Sequence, residues 1–305
     1  MSSAEYEPQA ATPELDELDL ALLVILAEHK ILSTYQLMVL FFDSLRTTQK
    51  RIKELKDLGL VVTFSWRNRR TYRSSDRHFL SAGGAALVCR YQGVTRAQLG
   101  WIPADEADAR KRLWHISGAN AFFCELIEAT LHTADVGVLT WRPEHQIRSP
   151  EAWIQPDGFG RLLQPDGITE FFFEYDRSTE NRGPMVAKFT RYLRVAGSWP
   201  QGSASFPSVL VLVPDVDREI WLRTHLAAAA CNVEPEAAAL SGRFFSSNLE
   251  RLKTLGSLGQ VWQPILSADS RISITAMPIT TGRKPEPGSL ATCVGRRWRE
   301  GHQNR

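Results

Sequence analysis

The sequence predicts an α+β protein that consists of two modules and a C-terminal tail. In the first module, apolar residues recur at helical spacing three times and are followed by two β-type runs on either side of a basic turn. In the second module, helical and strand patterns alternate around a Pro-Asp-Gly turn at residues 165–167. The end of the chain is rich in Pro, Gly, Thr and Arg without periodicity, which predicts disorder. We therefore expect domains at residues 13–92 and 104–266 and a disordered basic tail at residues 267–305.

The composition is that of a soluble globular protein, with 43% apolar and 23% charged residues in a chain of 305. The longest apolar runs, residues 20–27 and 209–213, are too short to cross a bilayer, and residues 1–5 lack the features of a secretory signal. The four cysteines are scattered without paired spacing, which disfavours a zinc site or a disulfide framework. Walker and dinucleotide-binding glycine motifs are absent from the sequence. We expect a cytosolic location.

Three helices and a hairpin are predicted in the first module. The first helix runs from Pro13 to Glu28 with Thr12 as its cap, and Ser33-Thr34-Tyr35-Gln36 forms a capping box for the second. The third helix begins near Ser44 and ends at Gly59. Two strands follow within residues 60–80, joined by a turn that contains several arginines.

This module is strongly basic, although the whole chain carries a net charge of only +2. Residues 44–77 contain ten lysines and arginines against three acids, a distribution expected of a protein that binds nucleic acid. The order of helix, short helix, basic helix and basic hairpin resembles a winged helix-turn-helix, whose third helix enters the major groove while the wing contacts phosphates. A solvated basic helix is the alternative. The residues predicted to contact DNA are Arg46, Thr47, Lys50, Arg51, Lys53, Arg67, Arg69, Arg70 and Arg73.

Acidic residues are predicted to meet at the open end of the hairpin in the second module. If the turn centres near Asp166, Asp157 lies opposite the end of the returning strand that carries Glu174 and Asp176. Side chains alternate along a strand, so Glu174 and Asp176 share one face. Neighbouring carboxylates repel each other unless a metal ion or a basic side chain lies between them. Ordinary surface acids on a hairpin are the alternative.

The element order of the second module is helix, strand, hairpin, helix, buried strand and helix, and it resembles the restriction-endonuclease-like core. Pro156-Asp157 followed by Glu174 resembles the acidic half of the PD-(D/E)XK nuclease signature. From about residue 15 to residue 264, the chain is also similar to the replication-relaxation family of plasmid and conjugative-element proteins. This second resemblance is carried by His115, Asn120, Trp141-Arg142-Pro143-Glu144, Pro156-Asp157-Gly158, residues 174–180, Lys188 and Tyr192.

The nuclease resemblance implies catalytic roles for Asp157, Glu174 and Lys188. It also implies that Mg²⁺ is held by Asp157 and Glu174, with help from Glu144 and Asp176. The chain departs from the signature at Asp176, which stands where the signature has lysine. Lys188 replaces that lysine if its helix folds over the sheet, and Asp176 then serves as a further ligand or forms a salt bridge to Lys188. In an inactive site, Asp176, Lys188 and Thr179 form a structural network.

Two functions remain open at this point. The first is binding of duplex DNA from a plasmid or integrative element in replication, relaxation or transfer, with nicking by a Mg²⁺-dependent endonuclease site. The second is a non-catalytic transcriptional regulator or relaxase accessory factor that uses the winged helix alone. The expected partners are double-stranded DNA, a relaxase or replication initiator, and a second copy of the chain. Tyr192 as a nucleophile and His115 as a general base are weaker alternatives to packing roles.

Overall fold

The computed structural model describes residues 15–67, 74–101, 107–147, 154–177, 182–199, 205–231, 241–265 and 270–282. The fold is mixed α+β, as predicted, with one three-stranded and one six-stranded sheet. The elements of the N-terminal module are α1 (Glu17–His29), β1 (Leu32–Ser33), α2 (Thr34–Phe41), α3 (Leu45–Asp57), β2 (Val61–Arg67), β3 (Ser74–Leu80), α4 (Ala82–Gln92) and α5 (Arg96–Leu99).

The helix signals of this module are largely confirmed. Ser33 and Gln36 form the predicted capping box at the start of α2, and Ser44 caps α3. Gly59 adopts a left-handed conformation with φ of 68°, which ends the third helical segment as expected. The predicted start of the first helix is wrong, because α1 begins at Glu17 after an Asp16 capping box. The predicted cap at position 12 lies outside the described residues.

The hairpin follows α3 directly. Strands β2 and β3 pair antiparallel from Val61 opposite Leu80 to Arg67 opposite Ser74, and β1 pairs with the other edge of β3. The connecting residues 68–73 lie outside the described part of the chain. The predicted order of three helices and a hairpin is therefore observed.

The second module is built around the six-stranded sheet, whose order is β4-β5-β6-β7-β8-β9. Strands β4, β5 and β6 pair antiparallel, β6, β7 and β8 pair parallel, and β9 pairs antiparallel with β8. Its elements are α6 (Ala107–Leu131), β4 (Gly137–Pro143), β5 (Gly158–Gln164), β6 (Gly167–Tyr175), α7 (Arg182–Gly197), β7 (Ser208–Val213), α8 (Val216–Ala230), β8 (Phe244–Asn248), α9 (Leu249–Leu255) and β9 (Gln263–Pro264).

Helices cover both faces of this sheet. Phe122 and Phe123 of α6 pack against Phe171 and Phe173 on one face, while α7 and α8 pack on the other. Every residue of β7 is buried, as expected for a strand covered on both sides. The apolar cluster that contains α6 continues into the core of the N-terminal module. The two modules therefore share one hydrophobic core.

The predicted disordered tail begins too early. Residues 270–282 are folded against the second module, with Ile274 fully buried and the amide of Thr280 hydrogen-bonded to the carbonyl of Ile168 at 2.9 Å. Ile272 pairs with Trp262, and Arg271 lies 2.9 Å from the buried carboxylate of Glu219. Ile168 and Glu219 are distant from this segment in sequence, so its composition gave no sign of these contacts. Residues 283–305 lie outside the described chain.

Candidate functional site

The hairpin formed by β5 and β6 brings Asp157 and Glu174 together. Gly158 pairs with Phe173, so Asp157 lies just before β5 and opposite Glu174, the register expected from the sequence. The backbone amide of Tyr175 donates to Asp157 Oδ2 at 2.7 Å, which fixes the carboxylate. Glu174 is 2% exposed, so its charge must be compensated within the protein.

Helix α7 supplies that compensation. Lys188 Nζ lies 2.5 Å from Glu174 Oε2 and 3.9 Å from Asp157 Oδ1. Tyr192 is one helical turn further along, and its hydroxyl donates to Glu174 Oε1 at 2.6 Å. Helix α7 therefore lies over the sheet. This is the condition under which Lys188 can take the place of the signature lysine.

His115 of α6 completes the group. Its Nε2 lies 2.8 Å from Asp157 Oδ1. The helix can approach this closely because Gly118 has no side chain, since a Cβ there would lie 2.0 Å from a ring carbon of Tyr175. We call Asp157, Glu174, Lys188, His115 and Tyr192 the acid cluster. The sequence did not place His115 beside Asp157, because that contact depends on how α6 crosses the hairpin.

The acid cluster balances its own charges. Burial raises the pKa of Asp157, but the His115 hydrogen bond and the Lys188 ammonium outweigh it, so the pKa lies below its ordinary value. Burial raises the pKa of Glu174, and the Lys188 ammonium opposes this effect. Burial lowers the pKa of Lys188 and of His115, but the neighbouring carboxylates outweigh it and raise both above their ordinary values. Burial also raises the pKa of Tyr192 well above its ordinary value, which favours a packing role over a nucleophilic one.

Asp176 and Glu144 do not join this group. The ion pair of Asp176 is with Arg218 of α8, whose Nε lies 2.6 Å from Asp176 Oδ2, and the expected salt bridge to Lys188 is not observed. Arg218 stacks 4.3 Å from the ring centre of Trp221, so Asp176 is anchored to α8. Glu144 is exposed and lies in a short 3₁₀ turn after β4. The third member of the proposed structural network, residue 179, lies outside the described residues.

The residues as placed do not fit the expected magnesium ion. Each oxygen of Asp157 and of Glu174 already accepts a hydrogen bond or an ion pair. Within the described ranges, no group of three His, Cys, Asp or Glu side chains could hold a metal ion. The expected set of Glu144, Asp157, Glu174 and Asp176 is therefore not assembled, and Lys188 provides the positive charge instead. A cavity of about 220 Å³ borders the acid cluster and gives solvent access to it.

The predicted DNA-binding residues of α3 fall into two groups. Arg46, Thr47, Lys50 and Lys53 are exposed, with 80% of the Lys50 side chain and 75% of the Lys53 side chain accessible. Lys50 and Lys53 make surface ion pairs with Glu54 and Asp57, which are weak in water.

Arg51 is the exception on α3, because it is paired within the protein, and its contact with DNA stays a prediction. Its guanidinium lies 2.5 Å from Asp19 and 2.7 Å from Asp16 of the α1 N-terminus, and 2.9 Å from Glu54. Arg51 therefore ties α3 to α1. The side chain of Arg67 and all of Arg69, Arg70 and Arg73 lie outside the described part of the structure.

Comparisons with known proteins give one match. Residues 23–209, more than half of the chain, match the family described as replication-relaxation. The matched range includes α3, the β2–β3 hairpin and every member of the acid cluster. No curated protein and no solved structure matches the chain. Across the described residues, the helices are too short or too polar to span a membrane.

Proposed function

The chain belongs to the replication-relaxation family, and we propose that it binds duplex DNA through α3 and the β2–β3 hairpin. The family indicates a role in the replication or relaxation of a plasmid or mobile element. The observation that carries the proposal is the exposed basic face of α3. Arg46, Lys50 and Lys53 recur at intervals of four and three residues, so they project from one side of the helix.

The opposite side of α3 holds the helix in place. Thr48, Ile52 and Leu55 are buried in the core of the N-terminal module. The cations are thus presented on a rigid element, which reduces the entropy lost when they bind. A helix of this size fits the major groove, which is about 12 Å wide.

Phosphate contacts explain why weakly paired surface cations are useful here. Each lysine that neutralises a phosphate releases counterions from the DNA, and this release drives association at low salt. The ion pairs of Lys50 and Lys53 with Glu54 and Asp57 are exposed and cost little to exchange for phosphate. The DNA sequence is read by further contacts in the groove.

The test uses full-length protein and a labelled duplex from the native locus. Lys50→Glu is expected to weaken binding about tenfold at low salt. Arg194→Glu is the matched control, because it changes the net charge equally on an exposed position of α7, on the far face of the second sheet. Equal affinities for wild type and Lys50→Glu would contradict the proposal.

Magnesium-dependent nicking by the acid cluster is a second candidate. It is favoured by the proximity of Asp157, Glu174 and Lys188 at the edge of an accessible cavity. It requires Lys188 and His115 to release the carboxylate oxygens that they occupy. If they do not, the acid cluster serves to join α6, the hairpin and α7, and the chain acts as a non-catalytic regulator or relaxase accessory factor.

Supercoiled plasmid carrying the native locus distinguishes these roles. Wild-type protein with Mg²⁺ or Mn²⁺ is compared with Asp157→Asn/Glu174→Gln, which keeps side-chain size. Loss of supercoiling with wild type alone would establish nicking. Unchanged plasmid with both proteins would assign the acid cluster a structural role. A binding assay with a relaxase or replication initiator encoded beside the locus, and the mass of the protein in solution, test the remaining proposed partners.

A further inference from the structure

A second cavity, of about 330 Å³, lies where the N-terminal module meets the second module. We call it the junction cavity. It is lined by residues from the end of α1, from α5, from α6 and from the turn that follows β4. His115 and Asp157 line both this cavity and the one beside the acid cluster, so the two cavities adjoin.

Lys30 is an unusual residue of the junction cavity. It is 8% exposed and has a positive φ of 65° immediately after α1. Its ammonium donates to the carbonyls of Ala27 at 2.7 Å and Leu99 at 2.8 Å, and no described carboxylate lies within ion-pair distance. An ammonium has three donors, so one N–H of this buried group is left without a described protein acceptor. Burial lowers the pKa of Lys30 to about 8, so the group remains mostly charged at neutral pH.

Other cationic groups face the same space. Arg112 of α6 is exposed, and none of the described carboxylates forms an ion pair with it. Burial and the charges of Lys30 and Arg112 lower the pKa of His145 to about 4. Gly100 lies close to Lys30 and His145, since a Cβ there would be 3.5 Å from Lys30 Nζ and 3.8 Å from the His145 ring.

The acids of the junction cavity are fewer than its cations, so they offset only part of this charge. Glu144 and Asp157 line it, together with the three cations Lys30, Arg96 and Arg112. Asp157 is already engaged by His115 and by the amide of Tyr175. Positive charge with unused N–H donors is therefore concentrated in a concave, partly desolvated space, where it interacts strongly with an anion.

We propose that the junction cavity is a phosphate-binding site, in which Lys30 and Arg112 hold a phosphate monoester or diester. An arginine fork and a lysine ammonium are the side chains that proteins use for phosphate, and His145 is placed to donate or accept a further hydrogen bond. The phosphate belongs either to a DNA strand or to a free phosphorylated small molecule. This inference does not depend on DNA binding by α3.

The first arm of the test uses inorganic phosphate and full-length protein. The melting temperature is measured against phosphate concentration, with chloride at the same ionic strength as the reference. Wild type is expected to show a saturable rise that is specific to phosphate.

Arg112→Glu is expected to weaken the response about tenfold. The control Arg194→Glu, an exposed arginine that lines neither cavity, is expected to respond as wild type does. Lys30→Met is a second variant. If the Lys30→Met protein is unstable because residue 30 is buried, Arg112→Glu still tests the proposal.

The second arm identifies the source of the phosphate. Single-stranded oligonucleotides with a 5′-phosphate and with a 5′-hydroxyl are titrated into wild type and Arg112→Glu. Weaker binding of both oligonucleotides by the variant assigns a backbone phosphate, and weaker binding of the phosphorylated one alone assigns a strand end. If the variant loses the response to inorganic phosphate but binds both oligonucleotides normally, the site takes a free phosphorylated molecule.

The same phosphate response in wild type and Arg112→Glu, or none in wild type, would overturn the proposal. Because this arm leaves Lys50 unchanged, failure of α3 to bind duplex DNA would not alter its outcome.

Discussion

The basic face of α3 and the acid cluster contain the same kinds of charged side chain in opposite situations. Lys50 is 80% exposed on its side chain and lies 3.9 Å from its nearest carboxylate. Lys188 is 26% exposed and lies 2.5 Å from Glu174, whose own side chain is 3% exposed. Exposed charges are loosely paired and available to a partner, whereas buried charges are matched inside the protein and costly to separate. The difference predicts that substitutions in α3 affect binding, while substitutions in the acid cluster affect stability.

The largest expected effect is from Lys188→Met. Removing this ammonium leaves the carboxylates of Glu174 and Asp157 facing each other, with Glu174 buried. We therefore expect the free energy of unfolding to fall by ~3 kcal/mol. Denaturant titration followed by circular dichroism measures the change. The control Lys50→Met is expected to stay within about 0.5 kcal/mol of wild type, because the side chain is exposed. Similar stabilities for both variants would remove the contrast between the two regions.

A smaller loss of stability is expected from Arg51→Met. Arg51 lies on α3, but its ion pairs resemble those of the buried charges. Its guanidinium contacts Asp19, which is 2% exposed, so its loss should destabilise the protein by ~2 kcal/mol. DNA affinity under native conditions should stay close to that of wild type, because Arg51 does not project from the exposed face. A variant with full stability and weak DNA binding would show that Arg51 contacts DNA.

The smallest effect concerns pH. The pKa of His115 is raised above its ordinary value of 6.5 in the folded protein. The stability that this shift contributes is therefore fully present at pH values below the pKa of His115 in the unfolded protein. It is lost as the pH rises through the pKa of His115 in the folded protein. The stability difference between wild type and His115→Gln should be greater near about pH 5.5 than near about pH 8.5, and should stay below ~1 kcal/mol because a third of the imidazole is exposed. A difference that grows with pH would contradict the assigned pairing with Asp157.

Local signals in the sequence predicted much of the fold. The capping box at Ser33, the glycine stop at Gly59 and the turn near Asp166 each depend on residues a few positions apart. The proximity of Asp157 to Glu174 followed from the same hairpin, since strand register fixes which residues are opposite each other. Features of this kind can be predicted without knowledge of tertiary packing.

Features that depend on tertiary contacts could not be predicted in the same way. Arg51 follows Lys50 in the sequence, yet it pairs with Asp19 because the N-terminus of α1 lies beside it. Asp176 pairs with Arg218, which is 42 residues away, and residues 270–282 pack beside Ile168. The partner of His115 depends on the path of α6 over the sheet. These contacts decide which charged residues remain available for function.

The salt dependence of duplex DNA binding tests the central contrast most directly. The affinities of wild type, Lys50→Glu/Lys53→Glu and Glu174→Gln are measured for one native-locus duplex over a range of salt concentrations. Loss of two phosphate contacts should make the slope of log affinity against log salt shallower by about two in the α3 variant, and Glu174→Gln should keep the wild-type slope. An unchanged slope in the α3 variant, or a slope altered by Glu174→Gln instead, would contradict the account.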